Sequence, residues 1–254
     1  MKKIVLFVFG LSTQFISGQE SIQEEELILE NEQQVVQGKN MITLNALALS
    51  SGTFSLQYER LVSKKTSVGV TLNFMSERGI PFSGAIESLV SDRTTVAQLK
   101  AVSVSNFSFT PEARFYLGKE GFKGFYISPF VRFSNFSMNL PVNYYYEGED
   151  QHIMIDGKTS SISAGVGFGA QWKLSDNFYL DWMIIGPHYG GSTGTLSGQK
   201  SLNQEEQDAI IESLRDLDIP VVSYDYEVDS NGAKVKLNGP WAGIRAVVGV
   251  GYRF

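Results

Sequence analysis

From Asn40 to the C-terminus the chain alternates apolar and polar residues with a period of two, the pattern of strands that bury one face. The longest run is 161–174. Ile162, Ala164, Val166, Phe168, Ala170, Trp172 and Leu174 share one face, against Ser161, Ser163, Gly165, Gly167, Gly169, Gln171 and Lys173 on the other. An unbroken run of this length exceeds an ordinary globular strand and suits one that crosses a membrane at a tilt. Residues 242–254 repeat the pattern, and 41–50, 53–62, 67–75, 102–117, 124–138 and 177–189 follow it more loosely, for eight strands in all. An even number of antiparallel strands returns both ends to one side, and closure leaves no unpaired edge.

The connections sort by length. Residues 63–66, 118–124 and 175–177 are tight turns, whereas 77–101, 139–160 and 190–240 are long, and only Ser51-Gly52 breaks the alternation. Short turns on one rim and long loops on the other are the asymmetry of outer-membrane barrels. The fold expected is therefore all-β, an eight-stranded antiparallel transmembrane β-barrel with long extracellular loops and a short helix in the last of them. That helix is marked by Asn203 and Glu206 as a capping box, by Ile210, Ile211, Leu214 and Leu217 at helical spacing, and by a stop at Pro220. A second helical stripe follows Ser83, with Ile86, Leu89 and Val90.

Before Asn40 the pattern is different. Lys2 and Lys3 precede an apolar run from Ile4 to Leu11, and Ser17-Gly18 follows, so residues 1–18 read as a secretory signal peptide. Residues 19–39 are rich in Gln and Glu and read as a flexible periplasmic segment. The barrel occupies 40–254. No later window reaches the roughly 18 apolar residues that a membrane helix requires, and a barrel hides its hydrophobicity by alternation. Aromatic residues at 12% and 25 glycines agree with β structure.

Alternation alone leaves open whether the apolar face lines a cavity, as in a soluble lipocalin-like barrel, or meets lipid. The polar face decides between them. A soluble barrel would be coated in Lys and Glu, but this face is mainly Gly, Ser, Thr and Asn, with Glu59, Glu112, Arg114, Arg132, Asp181 and Arg245 among them. Small residues and balanced charges fit a narrow lumen filled by its own side chains. Buried charges must pair, so these six residues are expected to form a mutual ion-pair network that plugs the lumen. Trp172, Phe178, Tyr252 and Phe254 near one end, and Phe74, Phe133 and Tyr189 near the other, would form two aromatic girdles. Arg60, on the apolar face by a turn, would snorkel to the headgroups.

Charge and composition narrow the function classes. Without Lys2 and Lys3, 19 basic residues face 27 acidic ones, and no basic cluster tracks a phosphate backbone, so nucleic acid is not an expected partner. Cysteine is absent, which removes disulfides, thiolate metal sites and a lipoprotein anchor. No phosphate loop, Gly-x-Ser-x-Gly elbow or paired-histidine metal motif occurs. Of the two histidines, His188 is expected at the outer end of a strand beside Tyr189 and Ser192, and His152 in a loop beside Glu149 and Asp150. A lipid-modifying enzyme would need one of them oriented by a partner. The acidic residues Glu147, Glu149, Asp150 and Asp156 match no EF-hand spacing and read as a solvated loop. Tyr144, Tyr145 and Tyr146 would contact glycan, lipopolysaccharide or protein, or pack across the barrel mouth.

The C-terminal Val248-Gly249-Val250-Gly251-Tyr252-Arg253-Phe254 resembles the signal read by barrel-assembly machinery, with Tyr252 and Phe254 as its aromatic positions. Together with residues 52–60 (GTFSLQYER) and 111–116 (PEARFY), the chain over about 40–254 resembles a domain-of-unknown-function family of small bacterial outer-membrane barrels, related in architecture to OmpA and OmpX types. The resemblance implies location in the outer membrane, contact with its lipid and assembly by that machinery, and it brings no established activity or catalytic residues to carry over; no cofactor is expected. The role expected is non-enzymatic: structural, adhesive or partner-binding through the outer loops. The alternatives are binding or lateral transport of small apolar molecules and, third, outer-leaflet lipid modification.

Overall fold

The computed structural model describes residues 38–79, 101–215 and 223–254. The signal peptide, nearly all of the 19–39 segment and the stripe after Ser83 lie outside the described residues. Residues 39–254 form one compact unit.

The strands are β1 (Asn40–Asn45), β2 (Thr53–Leu61), β3 (Thr66–Gly79), β4 (Ser103–Tyr116), β5 (Gly124–Tyr146), β6 (Glu149–Lys173), β7 (Phe178–Gln199), β8 (Ser223–Asp229) and β9 (Gly232–Arg253), with helices α1 (Ala46–Ser50) and α2 (Gln204–Arg215). Each strand from β1 to β6 pairs antiparallel with the next, β7 pairs with β9, and β9 returns to β1 through Ile42↔Tyr252 and Leu44↔Val250. The ring therefore has eight strands, and β8 is an extra strand laid beside β9 above it, from Ser223↔Asn238 to Asp229↔Gly232. Asn40 and Phe254 exchange backbone hydrogen bonds of 3.0 and 2.9 Å, which seals the seam beside the termini.

The wall is inside-out. Phe54, Leu72, Phe74, Phe109, Phe133, Ile162, Phe168, Trp182 and Val250 are exposed on its outer surface, whereas Ser55, Gln57, Thr71, Ser108, Gln171 and Asp181 are buried inside. Only lipid makes such an outer face stable, so this is a transmembrane barrel.

Three expectations are corrected. Residues 46–50 continue no strand. Ala-Leu-Ala-Leu alternates, but Ala and Leu are strong helix formers, the Asn45 side chain accepts from the N–H groups of Leu47 and Ala48, and Gly52 at φ +70° ends the turn. Residues 139–160 are no loop, because β5 and β6 pair without interruption to Tyr146↔Glu149, with Glu147 and Gly148 both at positive φ in the turn. Much of 190–240 is likewise strand, since β7 and β9 pair out to Gln199↔Gly232. One side of the barrel thus rises well beyond the other.

Candidate functional site: a braced lumen and a folded outer wall

Spacing by two places Glu112, Arg114 and Tyr116 on the inner face of β4, with Gln57 and Glu59 on β2 and Asp181 on β7 across from them. The Arg114 guanidinium is 1% exposed and bonds all three carboxylates: Nε to Glu112 Oε1 at 2.8 Å, and Nη1 to Asp181 Oδ2 at 2.8 Å and Glu59 Oε2 at 3.2 Å. Its Nη2 donates to Gln57 Oε1 at 2.8 Å, and Gln57 Nε2 donates to Glu112 Oε1 at 2.8 Å. The second oxygen of each carboxylate is engaged too. Ser67 donates to Glu59, Tyr126 donates to Asp181 Oδ1 at 2.8 Å, and Arg245 Nη2 lies 2.9 Å from Glu112 Oε2. Tyr116 Oη lies 2.5 Å from Glu59 Oε1 and 2.8 Å from Gln171 Oε1.

Five of the six charged residues singled out in the sequence are therefore in one network. Arg132 is not. Its Nε donates to the Ser134 hydroxyl at 3.2 Å, and no carboxylate among the described residues lies within ion-pair reach. It sits on β5, the strand beside that of Arg114, and lines the same cavity as Arg245 rather than facing the acids.

A second layer was not legible as such. Met41, Tyr116, Phe122, Tyr126, Tyr179, Met183 and Val247 form a buried cluster toward the end of the barrel that holds Asn40 and Phe254. Phe122 belongs to the turn between β4 and β5, has φ +62° and is fully buried, so this turn folds into the barrel mouth. The Arg253 guanidinium stacks 5.0 Å over its ring. The available signal was a Phe in a turn otherwise made of Gly, Lys and Glu. Gly169 makes room for the layer, since a Cβ there would fall 2.5 Å from the Tyr126 hydroxyl and 2.6 Å from a backbone oxygen.

Outside the apolar band the inner face changes character. Tyr144, Ile153, Ile155, Leu196, Ala233 and Val235 form a dry cluster with Leu202 and with Ile210 and Leu214 of α2. The capping box is made: Glu206 N donates to Asn203 Oδ1 at 2.9 Å, and Asn203 N donates to Glu206 Oε2 at 3.1 Å. These bonds hold the Glu206 carboxyl below its ordinary value, the Asn203 N–H contributing most and the Tyr144 hydroxyl and Lys200 adding to it. Of the tyrosine run, Tyr144 packs under the helix and Tyr145 is 67% exposed.

His188 is displaced from the expected rim. Register shifts on both sides of β7 put Ile184 and Ile185 outward in succession, so Gly186 and His188 change to the inner face. The ring lies edge-on 6.1 Å from Phe130, and Nδ1 has no hydrogen-bond partner. His152 is exposed on β6. No group of three metal-ligating side chains occurs among the described residues.

Three solved barrels are similar to the chain, each at 10% identity. The N-terminal β-barrel domain of Pseudomonas aeruginosa OprF covers 86% of this chain and 99% of its own length, with a TM-score of 0.25. The translocator domain of the autotransporter NalP from Neisseria meningitidis covers 94% and 97%, with a TM-score of 0.34, and Acinetobacter baumannii CarO2 covers 81% and 98%, also at 0.34. At these scores the architecture rests on the strand pairings above. No curated protein matches the sequence. The family match runs over residues 26–190, which includes the 52–60 and 111–116 segments and stops before the last outer connection and the terminal strand. With well over half of its residues inside that match, the chain belongs to the family described as Protein of unknown function (DUF3575).

Proposed function

We propose that this is a non-conducting, non-enzymatic barrel of the bacterial outer membrane that carries a folded wall outside the lipid as a structural or partner-binding platform. The observation that carries this reading is the cross-bracing of the lumen, in which Arg114 ties β2, β4 and β7 together through three carboxylates above the Phe122 plug. An eight-stranded barrel has room for its own side chains only, and Arg114, Glu59, Asp181 and Gln57 are all buried there. The outer wall supports the second half. Its helix buries Ile210 and Leu214 and turns Glu205, Asp208 and Glu212 away from the sheet, a polar surface held by a dry core. Against catalysis stands His188, whose ring has no carboxylate or hydroxyl to orient it among the described residues. Tyr252 and Phe254 at the end of β9 would serve the assembly machinery, and deleting Phe254 should impair insertion without blocking export.

The test is ion conductance of the purified barrel in planar bilayers. Silent traces for the native protein, with steps in the Arg114→Ala, Phe122→Ala double variant, are the expected result. Stable channels from the native protein would return the transport reading.

A further inference from the structure

The ring is not equally closed all the way up. β1 ends at Asn45, pairing with β9 only as far as Gly249, and β8 joins β9 from Asn238 upward, so among the described residues no strand lies beside 239–248 on that edge. Asn45 bridges the first part of the interval with its side chain, accepting from Val248 N at 3.2 Å and donating to the Ala246 carbonyl at 3.4 Å. Above it stands the short helix α1 in place of wall. A cavity of about 390 Å³ opens here, and its lining comes from both faces of the sheet: Leu47, Ala48 and Ile244 from the outer side, and Asn73, Arg132 and Arg245 from the lumen. The opening therefore lies at the gap in the wall, between its two faces. Ile244 lies nine residues before Arg253, which at about 3.3 Å per residue and about 40° of tilt is roughly 20–25 Å above the periplasmic end, near the outer boundary of the apolar band.

The charges at its inner end are unbalanced locally. Among the described residues Arg132 has only the Ser134 hydroxyl, and Arg245 spends Nη2 on Glu112 and Thr71 while its buried Nη1 has no hydrogen-bond partner there. Below them the Arg114 network blocks further passage. Two guanidiniums at the end of a short passage whose mouth is apolar and faces lipid suit an anion that arrives with a hydrocarbon chain attached. We propose that this opening binds a single-chain anionic amphiphile from the membrane, with its carboxylate or phosphate between Arg132 and Arg245 and its chain leaving between α1 and β9. It is a dead-ended binding site, independent of the platform reading above.

The full-length protein in phosphatidylcholine nanodiscs is titrated with radiolabelled oleate, oleoyl lysophosphatidate and oleyl alcohol. Oleate or lysophosphatidate should bind saturably at one molecule per barrel, and the tighter of the two identifies the head group. The alcohol should bind at least tenfold more weakly. Arg132→Gln should weaken the anion at least tenfold, with partial recovery in Arg132→Lys. Ala48→Trp, which fills the mouth and leaves every charge in place, should weaken it as much and decides the matter should Arg132→Gln not fold. Alcohol binding equal to that of the anions, or anion binding unchanged in Ala48→Trp, would overturn the proposal.

Discussion

Strand β6 crosses two environments with one unbroken side-chain parity, and the two halves are opposites. Along its lower part the outer face is Ile162, Ala164, Val166 and Phe168, and the inner face is Ser161, Ser163 and Gln171. Along its upper part the outer face is His152, Met154, Asp156 and Lys158, mostly polar, and the inner face is Ile153 and Ile155. The backbone is the same throughout, so the difference comes from what the outer face meets. Where it meets lipid, the apolar residues go outward and the lumen holds the polar ones. Where it meets water, the apolar residues turn inward and need a cover, which α2 supplies.

The two interiors should fail in different ways. The largest effect is expected in the lumen. Arg114→Ala leaves buried Glu59 and Asp181 without a cation and Glu112 with Arg245 alone, and breaking a buried pair from one side costs about 3 to 5 kcal/mol. Lys119→Ala, in the exposed turn nearby, should change the unfolding free energy in detergent by no more than about 0.5 kcal/mol. Equal shifts from the two would mean that the network does not hold the barrel together.

The outer core should break next, and locally. Leu214→Ala removes a buried side chain from the helix interface, a change worth about 2 to 5 kcal/mol. Proteolysis within 204–215 should then accelerate while the barrel keeps its heat-resistant migration on gels. Loss of that migration would show that the two interiors melt as one.

The smallest effect is electrostatic. The Glu206 carboxyl is held below the ordinary value of 4.5 by the Asn203 N–H, so its contribution is complete above that value and is lost as pH falls through the lower, folded one. Amide exchange in α2, corrected for its intrinsic pH dependence, should rise in that acid window. Glu206→Gln should exchange faster at neutral pH and lose the acid step. A step that persists in Glu206→Gln would assign it elsewhere.

How much of this the sequence carried follows from the same contrast. Strict alternation over 161–174 and 242–254, and a polar face of Gly, Ser and Thr, were enough for the ring, its lipid-facing side and the inward carboxylates. The outer wall was harder, because its alternation runs in the reversed sense: apolar residues such as Ile153 and Ile155 share a parity with Ser161 and Ser163, so a reader following one polarity stops at the reversal and sees a loop. His188 was misplaced for a related reason, since the bulge at Ile184 and Ile185 shifts the parity and no sequence feature announces it. The α1 turn was hidden by an Ala-Leu repeat that satisfies both periods. Arg132 looked like the other charged lumen residues, and only its height beside Arg245 separates it from the carboxylates.

The central claim, that the outer face of one strand changes environment along its length, is tested most directly by exchanging two residues on β6. Phe168 and Lys158 both point outward, one within the apolar band and one above it. Phe168→Lys should destabilise the barrel folded in phospholipid vesicles by about 2 to 4 kcal/mol, the cost of a Lys near the bilayer midplane. Lys158→Phe, on the same face and strand, should change it by less than about 0.5 kcal/mol. Similar costs from both substitutions, or a Lys at 168 that is tolerated, would contradict the account.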